Sequence, residues 1–332
     1  MWKEIGKLIL RFTGVVAIAV LILMAVAKSV PFMRYMDGEY AMYRQNADYA
    51  RKTEAYAAEP DPKTLILGDS RTKAGMIPEL LGTNTYNMAL GGSTPVETYY
   101  IFKEYLEHHA APEYVLIAFA PSHYEYSGTF WSRTMYFHTM RSEDAMEIFQ
   151  TAESVGDTEF AKEHYRLHYL MYKFYAPNKY GAALRRSIGE DRFEKNVKMY
   201  VECTDAKGQH YFGTAKSITG VVEEAQEKEF HAGTMEKIYM QKLLDLCKEH
   251  GCKAIVESMP FSLTSYRLFA QEYKDAYNDY MTELAVANPE VSVYNYFYCY
   301  DDTCFGDESH LNASGAEAYS LYIRERYPYA FP

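Results

Sequence analysis

Hydrophobic positions follow two rhythms along this chain. Leu65-Ile66-Leu67, Tyr114 to Ala120, Lys253 to Glu257 and Val291 to Phe297 are short, largely apolar runs of strand length. A run without polar alternation is what a strand buried on both faces requires. Thr85-Tyr86-Asn87-Met88 reads as one more strand. Between the runs the apolar residues take helical spacing. Thr94 to His109 carries Val96, Tyr99, Tyr100, Phe102 and Leu106 on one face; Met235 to His250 and Ser265 to Asn288 repeat the pattern, and Pro78 opens a short helix that stops near Gly82. Buried strands alternating with helices predict a parallel sheet covered on both sides.

The rhythm breaks twice. Phe12 to Ala27 is uncharged and apolar, Leu8-Ile9-Leu10 extend it past Arg11, and Lys3, Lys7 and Arg11 lie ahead of it. The span approaches the ~20 residues that cross a bilayer, and the leading basic residues place the N-terminus in the cytoplasm. Ala25-Val26-Ala27 also resembles a peptidase site, so residues 1–30 are a membrane anchor or a cleaved signal; either way the remainder is exported. Residues 31–60 are polar and dotted with tyrosine, and read as a helical stalk from about Gly38 to Ala58 that ends at Pro60 and Pro62. The alternating core then occupies 61–120 and 232–332. The second break, 121–231, is an aromatic-rich insertion with helical patches and a turn at Ala206-Lys207-Gly208. Two readings of it stand: a loop at the catalytic edge that sets specificity, or a helical subdomain that only packs.

Composition narrows the function. The 332 residues hold 45 acids and 34 bases, a net charge of -11, which argues against a nucleic-acid partner because phosphate binding needs a basic face. The 33 tyrosines suit contact with sugars or proteins as well as ordinary packing. An exported chain with five cysteines can form disulfides. Cys299 and Cys304 are five apart beside Asp307, Cys247 and Cys252 share that spacing, and Cys203 is left over; spacing alone does not set the connectivity. A Cys299–Cys304 bridge is expected to pin the loop that carries Asp307.

Candidate chemistry sits at strand ends. Thr64 to Leu67 stops at Gly68-Asp69-Ser70, the kind of position where open α/β sheets keep their sites. A serine hydroxyl needs a base and an oxyanion site. Asp307-Glu308-Ser309-His310 offers an acid and an imidazole on one loop behind the last strand, at the same sheet edge. Gly68-Asp69-Ser70, Asn87-Met88-Ala89-Leu90-Gly91-Gly92-Ser93 and Asp307-x-x-His310 with Leu311-Asn312 together resemble the blocks of the SGNH, or GDSL-type, hydrolase family.

That resemblance agrees with the flavodoxin-like, three-layer α/β sandwich the alternation suggests, here with the insertion and the N-terminal helix added. It implies Ser70 as nucleophile, His310 as base and Asp307 as the group that holds the imidazole. It implies oxyanion donors from the Ser70 and Gly92 amides and from a third-block asparagine. Here Ala120-Pro121-Ser122-His123 stands in that block, so Ser122 falls where the asparagine is expected. Loss of one such donor costs ~100–1000-fold in turnover. The departure is similar to the membrane-anchored branch of the family, whose members in alginate acetylation and teichoic-acid D-alanylation work beside a multispanning O-acyltransferase. A glycan or cell-wall polymer is then the expected substrate, with no cofactor and no metal.

Arg71 either faces an acidic substrate or pairs with a neighbouring acid, and Tyr124, Tyr126 and Trp131 are candidates for an acceptor surface. Glu163-His164 and His168 lie one helical turn apart, but without a third ligand a solvated helix face is expected there. Asn312-Ala313-Ser314 fits a glycosylation sequon and, better, a helix N-cap. Three function classes remain: a cell-surface acyltransferase, a secreted esterase or deacetylase, and a noncatalytic partner of a membrane acyltransferase.

Overall fold

The computed structural model describes residues 2–29, 38–82 and 84–331. Five strands, all parallel, form the central sheet: β1 (Thr64–Gly68), β2 (Thr85–Asn87), β3 (Tyr114–Phe119), β4 (Lys253–Ser258) and β6 (Ser292–Val293). Their spatial order is β2-β1-β3-β4-β6. Counting only these five, that is the 2-1-3-4-5 order of doubly wound sheets, whose switch point lies between β1 and β3. A separate pair, β5 (Phe261–Ser262) and β7 (Cys299–Tyr300), runs parallel beyond the end of β4.

The strands lack polar alternation because both faces are covered. Leu65, Leu67, Val115, Ile117 and Val256 meet Phe102 and Tyr105 of α5 (Pro95–His108), Leu243 and Leu244 of α10 (Thr234–Glu249), and Tyr273 and Tyr277 of α12 (Gln271–Ala287). The intervening Ile66, Leu116, Ala118 and Ile255 turn the other way, toward Met76, Leu81 and the Ala316, Tyr319 and Ile323 stripe of α13 (Ala313–Arg326). Pro95 pre-sets the first turn of α5. The Thr94 side chain and Glu97 form a reciprocal capping box that satisfies its open backbone donors.

α1 (Trp2–Ala27) is a 26-residue helix, long and apolar enough to cross a membrane, and only its last residue is buried. The stretch read as a stalk is instead part of the body; its first residues, 31–37, lie outside the described ones. α2 (Tyr40–Ala50) buries ten of its eleven residues against α5 and α9 (Arg192–Asp205). Its polar side chains are spent inside the protein. Gln45 donates to the Tyr86 hydroxyl, Asn46 to Met88 O and the Tyr43 hydroxyl to Gly91 O. A helix whose Tyr43, Gln45 and Asn46 side chains bond inside the protein reads as solvated from sequence and is not.

Two further expectations are corrected. The last strand does not run from Val291 to Phe297; pairing with β4 ends at Ser292–Val293, and Phe297 leaves the sheet to stack on Phe261 at 4.6 Å. The helix read from Ser265 to Asn288 is two, α11 (Leu263–Leu268) and α12, broken where extended backbone at Phe269 turns its ring into the Phe261–Phe297 cluster.

Between β3 and α10 the chain leaves the sheet. It builds α6 (Ser142–Val155), α7 (Tyr165–Lys173) and α8 (Pro177–Gly189) around an aromatic cluster that also takes in Ala27, Tyr40 and Tyr43, and then α9, which packs on α2. Beside that cluster, Glu97 and Glu236 are buried, and one carboxylate oxygen of each has no hydrogen-bond partner among the described residues. Burial pushes Glu97 up to about 7 and Glu236 up to about 8, the Glu97 charge adding to the second. The folded protein therefore keeps protons that the unfolded chain has already released above pH ~4.5, so stability falls as pH rises from there through about 8. Glu236→Gln is expected to raise the melting temperature at pH 8 more than at pH 5. Equal shifts at the two pH values would show that this carboxyl does not titrate in the fold.

Candidate active site

Ser70 is delivered by the geometry at the end of β1. Gly68 has φ +151°, and a side chain there would meet the Ala118 carbonyl of β3. Only glycine lets the two strands close up while the chain turns out of the sheet. Asp69 caps α3 (Ser70–Gly75), accepting from the Arg71 and Thr72 amides on Oδ1, and its Oδ2 accepts from Ala120 N at 2.7 Å. This carboxylate is fully buried and ties β1, α3 and the end of β3 together. Ser70 is thereby the first residue of the helix, partly exposed at the carboxyl edge of the sheet.

Asp307 and His310 reach the same edge from the loop before α13. The Ser70 Oγ lies 2.8 Å from His310 Nε2, and His310 Nδ1 lies 2.8 Å from Asp307 Oδ2. A carboxylate only accepts, so Nδ1 carries the proton and Nε2 presents its lone pair to the serine hydroxyl, which donates. Burial alone would raise Asp307. The bonds from the His310 ring and from the Ser309 and His310 amides more than offset it and hold the carboxyl below its ordinary value, ionised. Asn312 fixes the loop: its Oδ1 caps α13 through Gly315 N, while its Nδ2 donates to Thr303 O, Phe305 O and Ala215 O. A Phe305–Leu311 bridge and a Gly306 N to His310 O bond of 2.9 Å close the turn.

No disulfide does this work. Cys299 and Cys304 are free thiols, as are Cys203, Cys247 and Cys252, contrary to the bridge expected at 299–304. Cys304 is instead held by the start of α13, its carbonyl accepting from Asn312 N at 2.9 Å and its backbone packed against Gly315.

The strand-two turn lies alongside. Met88 N donates to Ile66 O and Leu90 N to Gly68 O, so residues 88–92 follow β1 to its end. Gly92 has φ +72°, and the Arg133 guanidinium and Thr129 hydroxyl occupy the space a side chain would need. A cavity of about 180 Å³ opens here, lined by Ser70, Gly92, Ser122, Tyr126 and Arg133 among others. Ser70, Asp307 and His310 thus form one hydrogen-bonded chain, and Ser70, Gly92 and Ser122 share one small polar cavity.

The other expected site residues separate. Arg71 points away from the cavity into the fold, where its Nη2 donates to Glu224 Oε1 at 2.6 Å and its guanidinium stacks over Phe261. Tyr124 is fully buried against Phe119 and Tyr280, so it is core rather than acceptor surface. Trp131 packs on Phe149, donates to Glu159 O and carries Lys162 over its ring, away from the cavity lining. Of the three aromatics only Tyr126, half exposed, lines the cavity. His168 takes a bond from Lys179 and packs edge-on against Trp131; with His164 it belongs to no cluster of three metal-ligating groups among the described residues.

Several residues at the site carried no sequence signal. His123 donates from Nδ1 to Ser93 O at 2.8 Å, with Nε2 3.7 Å from Asp69 Oδ2. Arg133 donates to Glu39 Oε1 at 2.7 Å. Phe212 stacks on the His310 ring at 4.6 Å, and a side chain at Gly91 would meet its ring edge. Lys73, fully buried, donates to Ala89 O and Gly208 O and so stitches α3 to both loops; burial lowers its pKa. No family model matches the chain, and no curated protein is significantly similar to it.

Proposed function

We propose that this is a membrane-anchored, extracytoplasmic serine protein of the SGNH type that moves an O-acyl group onto, or off, an exported glycan or cell-wall polymer. The observation that carries the reading is the unbroken chain from Asp307 through His310 to the Ser70 hydroxyl. His310 takes the serine proton as Oγ attacks an ester carbonyl. Asp307 holds the imidazolium that forms, which gives its proton to the departing alcohol as the ester C–O bond breaks; neutral His310 then takes the proton of an acceptor hydroxyl as that oxygen attacks the acyl carbonyl, and returns it to Ser70 Oγ as the acyl–serine bond breaks. A noncatalytic docking protein has no need of this tautomer-locked arrangement.

The cavity sets the scale of the acyl group. About 180 Å³ accommodates a few heavy atoms, such as an acetyl, whereas pockets that bury drug-sized ligands measure ~300–1,000 Å³. Backbone amides of Ser70 and Gly92 take the oxyanion, as the family resemblance implies. In place of a third-block asparagine, Ser122 offers a hydroxyl and Arg133, seated against Gly92, offers positive charge. Segment 121–231 acts as the insertion that builds this side of the site, through Tyr126 and Arg133 on its first loop. A multispanning O-acyltransferase in the same membrane is the proposed source of the acyl group.

Transfer and hydrolysis differ in what the acyl-enzyme depends on. Water brings no binding energy to the second step, while a glycan docked beside Tyr126 does. With a chromogenic acetyl ester, the full chain is expected to release acetate slowly and to turn over severalfold faster once a suitable glycan is added, with acetyl found on the glycan by mass spectrometry. Rapid hydrolysis that no glycan changes, with no acetylated product, would make it an esterase.

A further inference from the structure

We propose that the outer face of α7, with the start of α8, rests on the surface of the bilayer that α1 enters. The inference rests on the reading of α1 as a membrane span. Residues 164–188 contain five Lys or Arg, five Tyr and no Asp or Glu, in a chain whose net charge is -11. Within that stretch Leu167, Leu170 and Phe174 are 54 %, 45 % and 54 % exposed. Their spacing of three and four puts them on one helical face. A row of bare apolar side chains flanked by cations, of which Arg166 pairs with Glu153 of α6, in a segment with no acid of its own, is the composition of a helix lying in a membrane interface.

The position of α1 names the occupant. The opposite side of α7 buries Tyr165 and Tyr172 in the aromatic cluster that also holds Ala27, the last residue of α1, together with Tyr180 and Ala183 of α8. α1 and α8 touch directly. Immediately past α1, the Lys28 charge adds to burial in pushing the His138 imidazole down to about 4, and that ring stacks on Tyr175 at 4.0 Å. The point where α1 leaves the membrane and the end of the apolar face at Phe174 are therefore neighbours. The Lys173 and Lys179 ammonium groups lie over the rings of Tyr169 and Tyr172 on α7, and Lys179 also donates to His168. Each such cation near an anionic surface adds ~1 kcal/mol of attraction.

The arrangement also sets how far the serine stands from the lipid. Glu39, twelve residues beyond Ala27, holds Arg133 at the cavity. An extended chain covers ~3.3–3.6 Å per residue, so the cavity mouth lies within about 40 Å of the end of α1.

The test is photo-crosslinking of the full chain in its host membranes, with a benzophenone amino acid at Leu170, at Phe174 and, as a control, at Val286, which is 77 % exposed on α12. Lipid adducts at the first two positions, several times more abundant than at Val286, are expected. Adducts to another protein at Leu170 and Phe174 would overturn the proposal in favour of a protein partner, and yields no higher than at Val286 would put the face in solvent. Carbonate extraction separates the two layers of the argument. A chain retained by the membrane but lacking lipid adducts loses only the face, whereas a chain released by carbonate loses the anchor and the face together. With the photoprobe at Leu167, Phe174→Glu should lower the lipid adducts severalfold while membrane retention stays unchanged; unchanged adducts would count against the face.

Discussion

Ser70→Ala is expected to lower turnover of a small acetyl ester by about 10⁴–10⁶-fold without changing the melting temperature. His310→Ala is expected to do the same, and the double variant to be scarcely worse than either, because the groups act as a unit. The structure gives the reason for the non-additivity. With Nε2 at 2.8 Å from Oγ, the imidazole has no task without the serine, and the serine no acceptor for its proton without the imidazole. Asp307→Asn tests a different point. An amide in place of a carboxylate can donate to Nδ1, which puts the proton on Nε2 and leaves the serine facing a donor; a loss of about 10⁴-fold follows. Near-parental turnover in Ser70→Ala would remove the serine mechanism.

Glu224→Ala is expected to cost about 3–5 kcal/mol of stability, the penalty for leaving one charge of a buried pair without its partner. Arg71 and Glu224 are 7 % and 8 % exposed as side chains, and the Arg71 guanidinium is otherwise bounded by the Phe261 ring. Replacing both, as Arg71→Met with Glu224→Leu, should recover most of the loss, since apolar groups of similar size remove the desolvation cost along with the attraction. The measurement is denaturant unfolding of the three variants beside preference for acidic over neutral acceptors. If Arg71→Met left stability intact but abolished a preference for acidic acceptors, the arginine would belong to the substrate after all.

What could be read from the sequence was local. The β1 run, its stop at Gly68-Asp69-Ser70 and the Asp307 to His310 loop each occupy a few consecutive residues, so pattern and chemistry coincide there. Asn312 as N-cap was legible for the same reason. Arg133, His123, Phe212 and Lys73 were not, because each acts through partners 16 to 135 residues away and nothing in its own neighbourhood marks it. The misread segments share one cause. Tyr43, Gln45 and Asn46 look like the exposed side of a stalk, and Tyr124 like a sugar platform. A polar tip on a large side chain satisfies either water or an internal partner, and the choice is made by elements elsewhere in the chain. The break at Phe269 and the early end of β6 likewise follow from where Phe261 and Phe297 stack.

The bond between Ser70 and His310 joins positions 240 apart in the chain. A polypeptide made from its N-terminus has Ser70, Asp69 and the β1 turn in place long before the loop with His310 follows. Until α13 settles on α3 and on α4 (Pro78–Leu81), the serine has no base within reach and is an ordinary alcohol. On the proposed serine chemistry, Ser70 is thus held inert by order of arrival: a chain truncated before its last helix would lack esterolytic activity.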